Sequence, residues 1–477
     1  MRRKTKIVAT MGPAVDSFDA ISELIDQGLD VARLNFSHGT QAEHGRRFGL
    51  IRRAAEEAGR PVAIMQDIQG PKIRVGEFPG GSVMLKEGAQ VRLSPGEGAG
   101  TSDRLCIAYL DGVHLQVGAP IILADGLIVL EAERVDGGDV VARVVQGGEL
   151  KEKKGAAFPG AVIDIPVVTP KDEADLRFGL DLGFDLIAAS FVKEGRDLRD
   201  VRKITGDVPV IAKIESALGY ANLDEILEEA DGAMVARGDL GVELSLETIP
   251  RAQHDILHRT NAAGKISITA TEMLESMITN PRPSRAEVTD VYRSVLDGTD
   301  AVMLSAETAI GEYPAAAVRA MSVICREAES STEYIRAPGV SGLRDRSRFA
   351  SAIAEASVDT ADRLGLDTIV AFTESGSTAR LLSKYRPHAD VYAFTVSEAT
   401  YRRMAVYGGI TPMMFDREES TDEMIMRAER RLLELEIARP GDGVVMVAGI
   451  PPNQRASTNI MKLHEVGTSV AGELRGR

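Results

Sequence analysis

Pro209-Val-Ile-Ala-Lys-Ile-Glu-Ser216 is a short, mostly apolar run that ends in two charged side chains. Its small and β-branched residues favour a buried strand. Side chains on a strand alternate between two faces, so Lys213 and Glu215 point to one side and Ile214 to the other. The run therefore predicts a strand whose C-terminal end presents a cation and a carboxylate at one place.

A second run has the same arrangement. Gly232-Ala-Met-Val-Ala236 is strand-like and continues into Arg237-Gly-Asp-Leu-Gly241, which places Asp239 among glycines at a strand end. Two carboxylates and a lysine at strand ends suit a divalent cation and a phosphorylated substrate. Either run alone is equally compatible with a structural salt bridge.

The composition bounds the class of protein. The 477 residues are 44% hydrophobic, which suggests about three domains with large cores. The formal net charge is −15 and no basic stripe is visible, so we expect no nucleic-acid partner. A local basic pocket for a small anionic molecule is compatible with this net charge. Only Cys106 and Cys325 are present, which fits a reducing compartment without disulfides. Neither a signal peptide nor an apolar span of membrane length is found, so we expect a cytoplasmic protein without a membrane partner.

Strand-like and helix-like segments alternate through most of the chain. The predicted strands are 6–10, 31–36, 61–67, 184–190, 209–214, 232–236, 265–270 and 300–304. The predicted helices are 18–27, 41–58, 171–182, 197–205, 221–229, 250–263, 285–296 and 315–329. Between these, from about residue 71 to 164, glycines and short β-rich runs indicate an inserted small β domain. Eight strand–helix units predict an α/β fold, a (β/α)8 TIM barrel interrupted after its third strand.

The last block of the chain predicts a third domain. Helices and strands alternate from residue 349 to a strand at 443–448, which is typical of an open, mostly parallel α/β sheet. We therefore predict a catalytic barrel of residues 1–70 and 164–335, an inserted β-barrel lid of residues 71–163 and a C-terminal α/β domain of residues 345–477.

One turn of the third domain is a candidate phosphate site. It lies between a predicted strand and a predicted helix and comprises Thr373, Ser375, Gly376, Ser377 and Thr378. Its hydroxyls and backbone N–H groups could hold a phosphate. The same residues suit a hydroxyl-rich helix cap equally well.

Polar residues follow every predicted barrel strand. They are Thr10; Arg33, Asn35 and Ser37; Asp67; Ser190; Lys213 and Glu215; Arg237 and Asp239; Thr269 and Thr271; and Ser305 and Glu307. Active sites of such barrels lie at the C-terminal ends of the strands. Core packing does not explain polar ends on all eight strands, so the set predicts one active site.

Longer motifs fall on the same strand ends. They are Thr10-Met-Gly-Pro13, Ala32-Arg-Leu-Asn-Phe-Ser-His-Gly39, Gln66-Asp-Ile-Gln-Gly-Pro-Lys-Ile-Arg74, Lys153-Lys-Gly155, Ala189-Ser-Phe191, Lys213-Ile-Glu215, Met234-Val-Ala-Arg-Gly-Asp-Leu-Gly-Val-Glu243, Thr269-Ala-Thr-Glu-Met-Leu274, Asn280-Pro-Arg-Pro-Ser-Arg285 and Asp297-Gly-Thr-Asp-Ala-Val-Met-Leu-Ser305. With these motifs, the chain resembles the pyruvate kinase family over essentially its full length. That family also has a barrel, an inserted lid and a C-terminal domain.

The resemblance implies a reaction in which the phosphoryl group of phosphoenolpyruvate moves to ADP and the enolate is protonated to pyruvate, in the last step of glycolysis. The implied catalytic residues are Lys213, Thr271 and Arg33; the implied substrate-binding residues are Arg33, Ser190, Lys213, Gly238, Asp239 and Thr271; and the implied ligands of Mg²⁺ or Mn²⁺ are Glu215 and Asp239. Such a transfer needs alignment and charge neutralisation more than covalent chemistry.

Two further positions follow from the resemblance. ADP or ATP would lie near Thr10, Pro13, Asn35, Arg74 and Lys154, and closure of the lid would bring Lys154 to the nucleotide. Potassium-dependent family members have ligands at positions that match Asn35, Ser37, Asp67 and the carbonyl of Ile68.

The chain departs from the family pattern near this potassium position. Ile68, Gln69 and Lys72 stand where the family usually has Thr, Lys and Glu. A lysine at position 72 marks family members that do not need K⁺, and its fixed charge would repel a bound cation. We therefore expect an unoccupied monovalent position and no K⁺ requirement. Ile310 replaces a usual lysine at the mouth of the site, and nothing in the sequence shows what compensates.

Regulation and assembly are less constrained. At residues 450–459 prolines and Arg455 replace the glycine-rich effector loop of the family, so activation by fructose-1,6-bisphosphate is not expected. Another sugar phosphate, a nucleotide or no effector stays open. The resemblance implies a homotetramer.

Two other functions were weighed against a pyruvate kinase. A metal-dependent aldolase or decarboxylase that acts on pyruvate enolates would need neither the lid nor Lys213 and Lys154. A non-catalytic metabolite-binding paralogue would be expected to lack Lys213, Glu215, Asp239 or Thr271, and all four are present.

Overall fold

The structure is a computed structural model, and it describes residues 2–334, 346–418, 420–450 and 457–468. Most of the stretch at 450–459, where the sequence departs from the effector loop of the family, lies outside these residues. In the described ranges, no helix is long and apolar enough to cross a membrane.

A closed parallel barrel forms the centre of the fold. Its strands, neighbours in chain order, are β1 (Lys6–Thr10), β2 (Val31–Asn35), β3 (Ala63–Asp67), β4 (Leu186–Ala189), β5 (Val210–Ile214), β6 (Gly232–Ala236), β7 (Ile266–Ala270) and β8 (Ala301–Leu304). The last strand closes on the first, with Lys6 opposite Ala301. All five residues of β5 are buried, as expected for a strand covered on both sides. The predicted eight-stranded barrel is confirmed.

Helices surround the barrel and continue into the third domain. They are α1 (Phe18–Gln27), α2 (Gln41–Glu57), α3 (Pro170–Leu182), α4 (Gly195–Thr205), α5 (Ala217–Ala221), α6 (Leu223–Glu229), α7 (Arg237–Glu243), α8 (Ile249–Ala262), α9 (Arg285–Leu296), α10 (Ala306–Ala309), α11 (Pro314–Glu329), α12 (Arg346–Leu364), α13 (Ser377–Lys384), α14 (Glu398–Arg403) and α15 (Thr421–Glu434). Reciprocal capping boxes begin several of them, such as Thr40 with Glu43 at α2 and Ser284 with Glu287 at α9.

Two helical segments differ from the sequence prediction. The single helix expected at 221–229 is divided into α5 and α6 at Asn222, whose side chain donates to the Lys193 carbonyl at 2.9 Å. After β6 the sequence prediction places the next helix at 250–263 and none at 237–243. The structure nevertheless has α7, which buries Leu240 completely.

The insertion after β3 is an all-β unit with its own core. Its strands are Ser82–Leu85, Gln90–Pro95, Arg104–Ile107, Val113–His114, Pro120–Leu123, Ile128–Asp136, Asp139–Gln146, Gly148–Lys151, Ala156–Ala157 and Val162–Ile163. They form one six-stranded sheet and two two-stranded sheets around buried residues such as Leu93, Leu130 and Phe158.

The third domain is an open sheet flanked by helices. Its strands are β9 (Thr368–Phe372), β10 (Asp390–Thr395), β11 (Ile410–Met414), β12 (Gly443–Ala448) and β13 (Ile460–Glu465). They lie in the order β11–β10–β9–β12–β13, and only β13 runs antiparallel to its neighbour. The predicted open, mostly parallel α/β sheet is confirmed.

The third domain packs against the N-terminal end of the barrel. Lys384, at the end of α13, is buried and donates to Asp300, the residue before β8, and to Asn261 Oδ1 at 3.0 Å. Lys6 Nζ donates to the Ile410 carbonyl at 2.7 Å, and the Gly409 N–H donates to the Lys4 carbonyl at 2.8 Å. The C-terminal ends of the barrel strands face away from this contact and stay available for a site.

Replacing Lys384 by methionine is expected to destabilise the protein by about 3–5 kcal/mol, because Asp300 would stay buried without its cation. Denaturant and thermal unfolding measure the change. The control Lys462→Met alters an exposed lysine of the same domain, and we expect a change within about 0.5 kcal/mol. Equal unfolding midpoints for the two variants would show that the buried ion pair contributes nothing to domain docking.

Candidate active site

A polar cavity of about 130 Å³ opens among the C-terminal ends of the barrel strands. Its lining includes the sequence-predicted residues Arg33, Asn35, Ser37, Lys72, Arg74, Ser190, Lys213, Glu215, Asp239 and Thr271. These side chains come from segments far apart in the sequence and meet because parallel strands of a barrel end on the same face.

Lys213 lies at the centre of a buried cluster. Its Nζ is 2.9 Å from Glu215 Oε1 and 3.3 Å from Asp67 Oδ1, and it donates to Ser190 Oγ at 2.7 Å. The side chains of Asp67 and Glu215 are each about 1% exposed. The Ser190 hydroxyl donates a hydrogen bond to the Ile68 carbonyl at 2.7 Å. The charged or polar group of each of these buried side chains therefore has a hydrogen-bond or ion-pair partner.

Asp67 also binds the second cation of the site. Arg33 Nε donates to Asp67 Oδ2 at 2.7 Å, and Arg33 Nη1 donates to Thr10 Oγ1 at 2.8 Å. Thr10 is buried, and its hydroxyl donates to the Leu304 carbonyl at 2.9 Å. The structure thus places Thr10 beneath Arg33 rather than in the lining of the cavity. Pro13, the other predicted residue of this loop, is exposed and also outside the lining.

The ion pairs around Asp67 shift the pKa values of Asp67 and Lys213. Burial raises the pKa of Asp67, but Arg33 and Lys213 outweigh it and hold that pKa below its usual value. Burial lowers the pKa of Lys213, but Asp67 and then Glu215 outweigh it and raise that pKa above its usual value. Two cations held beside one buried carboxylate can stabilise an anionic substrate that carries more than one negative charge.

Glu215 and Asp239 offer hard oxygen ligands to the same cavity. Burial, and then the charge of Asp239, raises the pKa of Glu215, although Lys213 opposes the shift. Glu215 Oε2 accepts the Phe191 N–H at 2.6 Å, and Asp239 Oδ1 lies 3.3 Å from Lys72 Nζ. Among the described residues, no group of three or more His, Cys, Asp or Glu side chains is placed to hold a metal. Two carboxylates fit an ion such as Mg²⁺, which takes its other ligands from substrate and water.

Three of the four predicted potassium ligands, Asn35, Asp67 and the Ile68 carbonyl, make protein contacts. Asn35 Oδ1 accepts the Ser37 N–H at 3.1 Å, and the Ile68 carbonyl accepts the Ser190 hydroxyl. Both oxygens of Asp67 contact the side chains of Arg33 and Lys213. The ammonium group of Lys72 reaches the carboxylate of Asp239 on another strand end.

Thr271 lies in a tight turn after β7. Its hydroxyl accepts the Gly238 N–H at 2.9 Å and donates to the Ala270 carbonyl at 2.6 Å. A Cβ built on Gly238 would lie 3.7 Å from Thr271 Oγ1, which is an ordinary contact. The packing of the protein itself does not require glycine at this position, so the space beside it remains open to a ligand.

The insertion and the barrel enclose a second, mainly apolar cavity of about 330 Å³ that shares Lys72, Phe191, Glu215 and Asp239 with the first. The side chain of Lys154 lies on the insertion, 46% exposed and 3.7 Å from Asp125, and lines neither cavity. Arg74 does line the polar cavity and donates to the Lys153 carbonyl at 2.8 Å. The insertion is thus tied to the site through Arg74, while Lys154 stays apart from the reacting centre.

The candidate phosphate turn of the third domain forms hydrogen bonds of its own. Thr373 Oγ1 accepts the Gly376 N–H at 2.9 Å, and Thr378 Oγ1 lies 2.7 Å from Thr458 Oγ1. Ser375 and Ser377 are exposed at the N-terminus of α13. The N-cap residue of α13 is Gly376 and no side chain caps this helix, and the Ser375 hydroxyl donates to Ser377 Oγ at 3.1 Å.

Sequence reasoning gave no role to two groups that organise the site. Arg237 appears only among the polar strand ends, yet it contacts the turn that carries Thr271. Glu307 accepts the Ser305 N–H at 2.6 Å and the Leu274 N–H at 3.1 Å, joining the ends of β7 and β8. The sequence shows that Arg237 and Glu307 are charged residues at strand ends, but it does not show which groups they contact.

Comparison with known proteins agrees with this geometry. The family model "Pyruvate kinase, barrel domain" matches residues 2–318, and the model "Pyruvate kinase, alpha/beta domain" matches residues 351–464. The chain is 44% identical to a pyruvate kinase of Geobacillus stearothermophilus, across 99% of this chain and 82% of that protein. It is 43% identical to a pyruvate kinase of Staphylococcus saprophyticus (98% and 81%) and 42% identical to one of Bacillus licheniformis (98% and 81%). The chain therefore belongs to the pyruvate kinase family and is an enzyme of that phosphotransferase type.

Proposed function

We propose that this site moves the phosphoryl group of phosphoenolpyruvate to ADP and protonates the resulting enolate to give pyruvate. The single observation that carries the proposal is the buried Asp67 carboxylate, which holds both Arg33 and Lys213 beside the carboxylates of Glu215 and Asp239. Phosphoryl transfer requires this concentration of positive charge and of metal ligands at one point.

Arg33 and Lys213 would neutralise the substrate phosphate and the phosphoryl group in flight. The planar guanidinium of Arg33 suits two-point contact with phosphate oxygens, which a lysine would not replace. Ser190 donates to the Ile68 carbonyl and accepts from Lys213, so it holds the ammonium group toward the cavity. Because the cluster is built before substrate arrives, little reorganisation is needed during transfer.

Glu215 and Asp239 would hold Mg²⁺ or Mn²⁺, which supplies Lewis-acid polarisation of substrate oxygens when bound. The two carboxylates are of the type that such ions prefer. Lys72 contacts Asp239 in this structure, so it would have to share or release that carboxylate when the ion binds. The choice between the two ions rests on the resemblance.

The carboxylate of the substrate would be held by the backbone N–H groups of Gly238 and Asp239 and by the hydroxyl of Thr271. The Gly238 N–H and this hydroxyl bond to each other in the structure, so neither is left unsatisfied before substrate binds. Thr271 would also belong to the polar network that delivers a proton to the enolate.

The nucleotide would lie between the barrel and the insertion, near Asn35 and Arg74, which line the polar cavity, with Thr10 at the end of β1 and Pro13 just beyond that strand. Closure of residues 71–163 over the barrel would bring Lys154 to the phosphates and exclude water. Its separate core supports treating this segment as a lid domain between barrel segments 1–70 and 164–335, followed by a domain at 345–477.

Regulation, assembly and location remain predictions. A phosphorylated effector would use the exposed hydroxyls of Ser375 and Ser377 together with Thr373, Gly376 and Thr378. Homotetramer formation follows from the family resemblance, and a cytoplasmic location is the expectation drawn from the composition. An aldolase or decarboxylase is disfavoured because such enzymes have no use for the insertion.

A coupled assay with lactate dehydrogenase, phosphoenolpyruvate, ADP and Mg²⁺ tests the reaction. We expect turnover by the wild-type protein and none by Lys213→Met, because the charge beside the transferring group is lost. An inactive wild type, or a Lys213→Met variant with unchanged turnover, would refute the proposed function.

We also propose that activity does not depend on K⁺, because the fixed charge of Lys72 lies in the same cavity as Asn35 and Ser37. Replacing tetramethylammonium by K⁺ at constant ionic strength should then change kcat by less than about tenfold. A tenfold change corresponds to about 1.4 kcal/mol in the activation free energy. Lys72→Glu should create a K⁺ requirement, since it replaces the fixed charge by an anion. A larger rise in the wild type would contradict the proposal.

Asp67→Asn should lower kcat/KM by about 10²-fold, because Arg33 and Lys213 lose the anion that holds them in place. The matched control is Asp185→Asn, since Asp185 is equally buried and binds two arginines, Arg52 at 2.6 Å and Arg402 at 3.0 Å, away from the cavity. Kinetics are measured where every variant is folded. A similar loss of kcat/KM in both variants would mean that activity depends on any buried carboxylate that binds arginine. It would contradict a specific role for Asp67 in the site.

A further inference from the structure

The turn after β7 has an unusual backbone. Thr271 has a φ of 67° and Glu272 a φ of 52°, so two successive residues with side chains lie in the left-handed region. A β-branched residue such as threonine rarely adopts this conformation, and it persists only where the surroundings hold it. Some group must therefore fix the turn that presents the Thr271 hydroxyl.

Arg237 is the side chain that hydrogen-bonds to this turn. Its Nε lies 3.2 Å from both the Ala270 and the Thr271 carbonyl oxygens, and its Nη2 also donates to the Thr271 carbonyl. Nη2 further contacts Met273 Sδ at 2.9 Å. The guanidinium therefore contacts the backbone carbonyls of Ala270 and Thr271, at the start of the strained turn, and the side chain of Met273 just after it.

Arg237 also contacts two helices, α8 and α9. Its Nη1 donates to both carboxylate oxygens of Asp290 on α9, at 2.8 and 2.6 Å, and lies 3.4 Å from Gln253 Oε1 on α8. The arginine side chain is only 9% exposed, whereas the side chain of Asp290 is 36% exposed. Helix α9 and the substrate-facing turn are thus joined through one side chain.

We propose that Arg237 is the positioning residue that holds Thr271 in its left-handed conformation, with Asp290 as its anchor. This rests on the proposed function for what Thr271 does, but the hold on the turn is a separate structural statement. Only a planar fork reaches two carbonyls on one side and a carboxylate on the other, so a lysine would keep the charge and lose the geometry.

Arg237→Lys is expected to lower kcat/KM for phosphoenolpyruvate by about 10²-fold through displacement of the turn, with the KM for ADP unchanged. Arg202→Lys is the matched control, because Arg202 also forks onto a backbone carbonyl (Glu229, at 2.8 and 3.1 Å) and an aspartate (Asp231, 2.6 Å) but lies outside the cavity. An equal rise of both KM values would indicate general damage and overturn the proposal.

A double-mutant cycle separates positioning from general destabilisation. In a Thr271→Ala background, Arg237→Lys should cost little further activity, because the group it positions is already absent. Asp290→Asn should act in the same direction as Arg237→Lys but more weakly, and Asp290→Glu should recover part of the loss. Fully additive losses in the cycle would overturn the proposal.

Backbone hydrogen–deuterium exchange tests the hold without using activity. Peptides that span residues 270–273 should exchange faster in Arg237→Lys than in the wild type and in Arg202→Lys. Unchanged exchange would overturn the proposal even if the enzyme is active. Faster exchange in a protein that does not turn over phosphoenolpyruvate would support the positioning role and refute the proposed function instead.

Discussion

One buried carboxylate holds the site together. Asp67 lies at the end of β3 and binds Arg33 from β2 and Lys213 from β5, so a single anion pairs with two cations inside the barrel mouth. Placing three charges out of water is costly unless each is paired and hydrogen-bonded. Ser190 and Thr10 supply the remaining contacts at the two cations. The arrangement trades stability for a permanently charged pocket that fits a phosphorylated substrate.

The barrel explains why such a cluster is feasible. Its strands deliver side chains from distant parts of the chain to one face, while the opposite face is closed by the third domain through Lys384, Lys6 and Lys4. Rigid strands hold the cations, and the metal ligands stand on neighbouring strand ends. Two of the non-glycine residues with positive φ, Phe191 and Thr271, follow β4 and β7 and line the polar cavity.

Much of this organisation was predictable from the sequence. Alternating faces put Lys213 and Glu215 together, and recurring polar strand ends located the active face before any distance was known. The shared role of Asp67 was not predictable, because its partners lie 34 and 146 positions away and only tertiary structure shows that one carboxylate serves both. The same holds for Arg237 and Asp290, 53 positions apart. Thr10 resembles a nucleotide-binding residue in its motif, yet its hydroxyl faces Arg33, which a linear pattern does not reveal.

Phosphorus NMR of phosphoenolpyruvate mixed with ADP, Mg²⁺ and a catalytic amount of the protein tests most directly whether this charged pocket transfers a phosphoryl group. The phosphoenolpyruvate resonance should decay while the γ-phosphate resonance of ATP grows in equal amount. Growth of inorganic phosphate in its place, or an unchanged spectrum, would contradict the account.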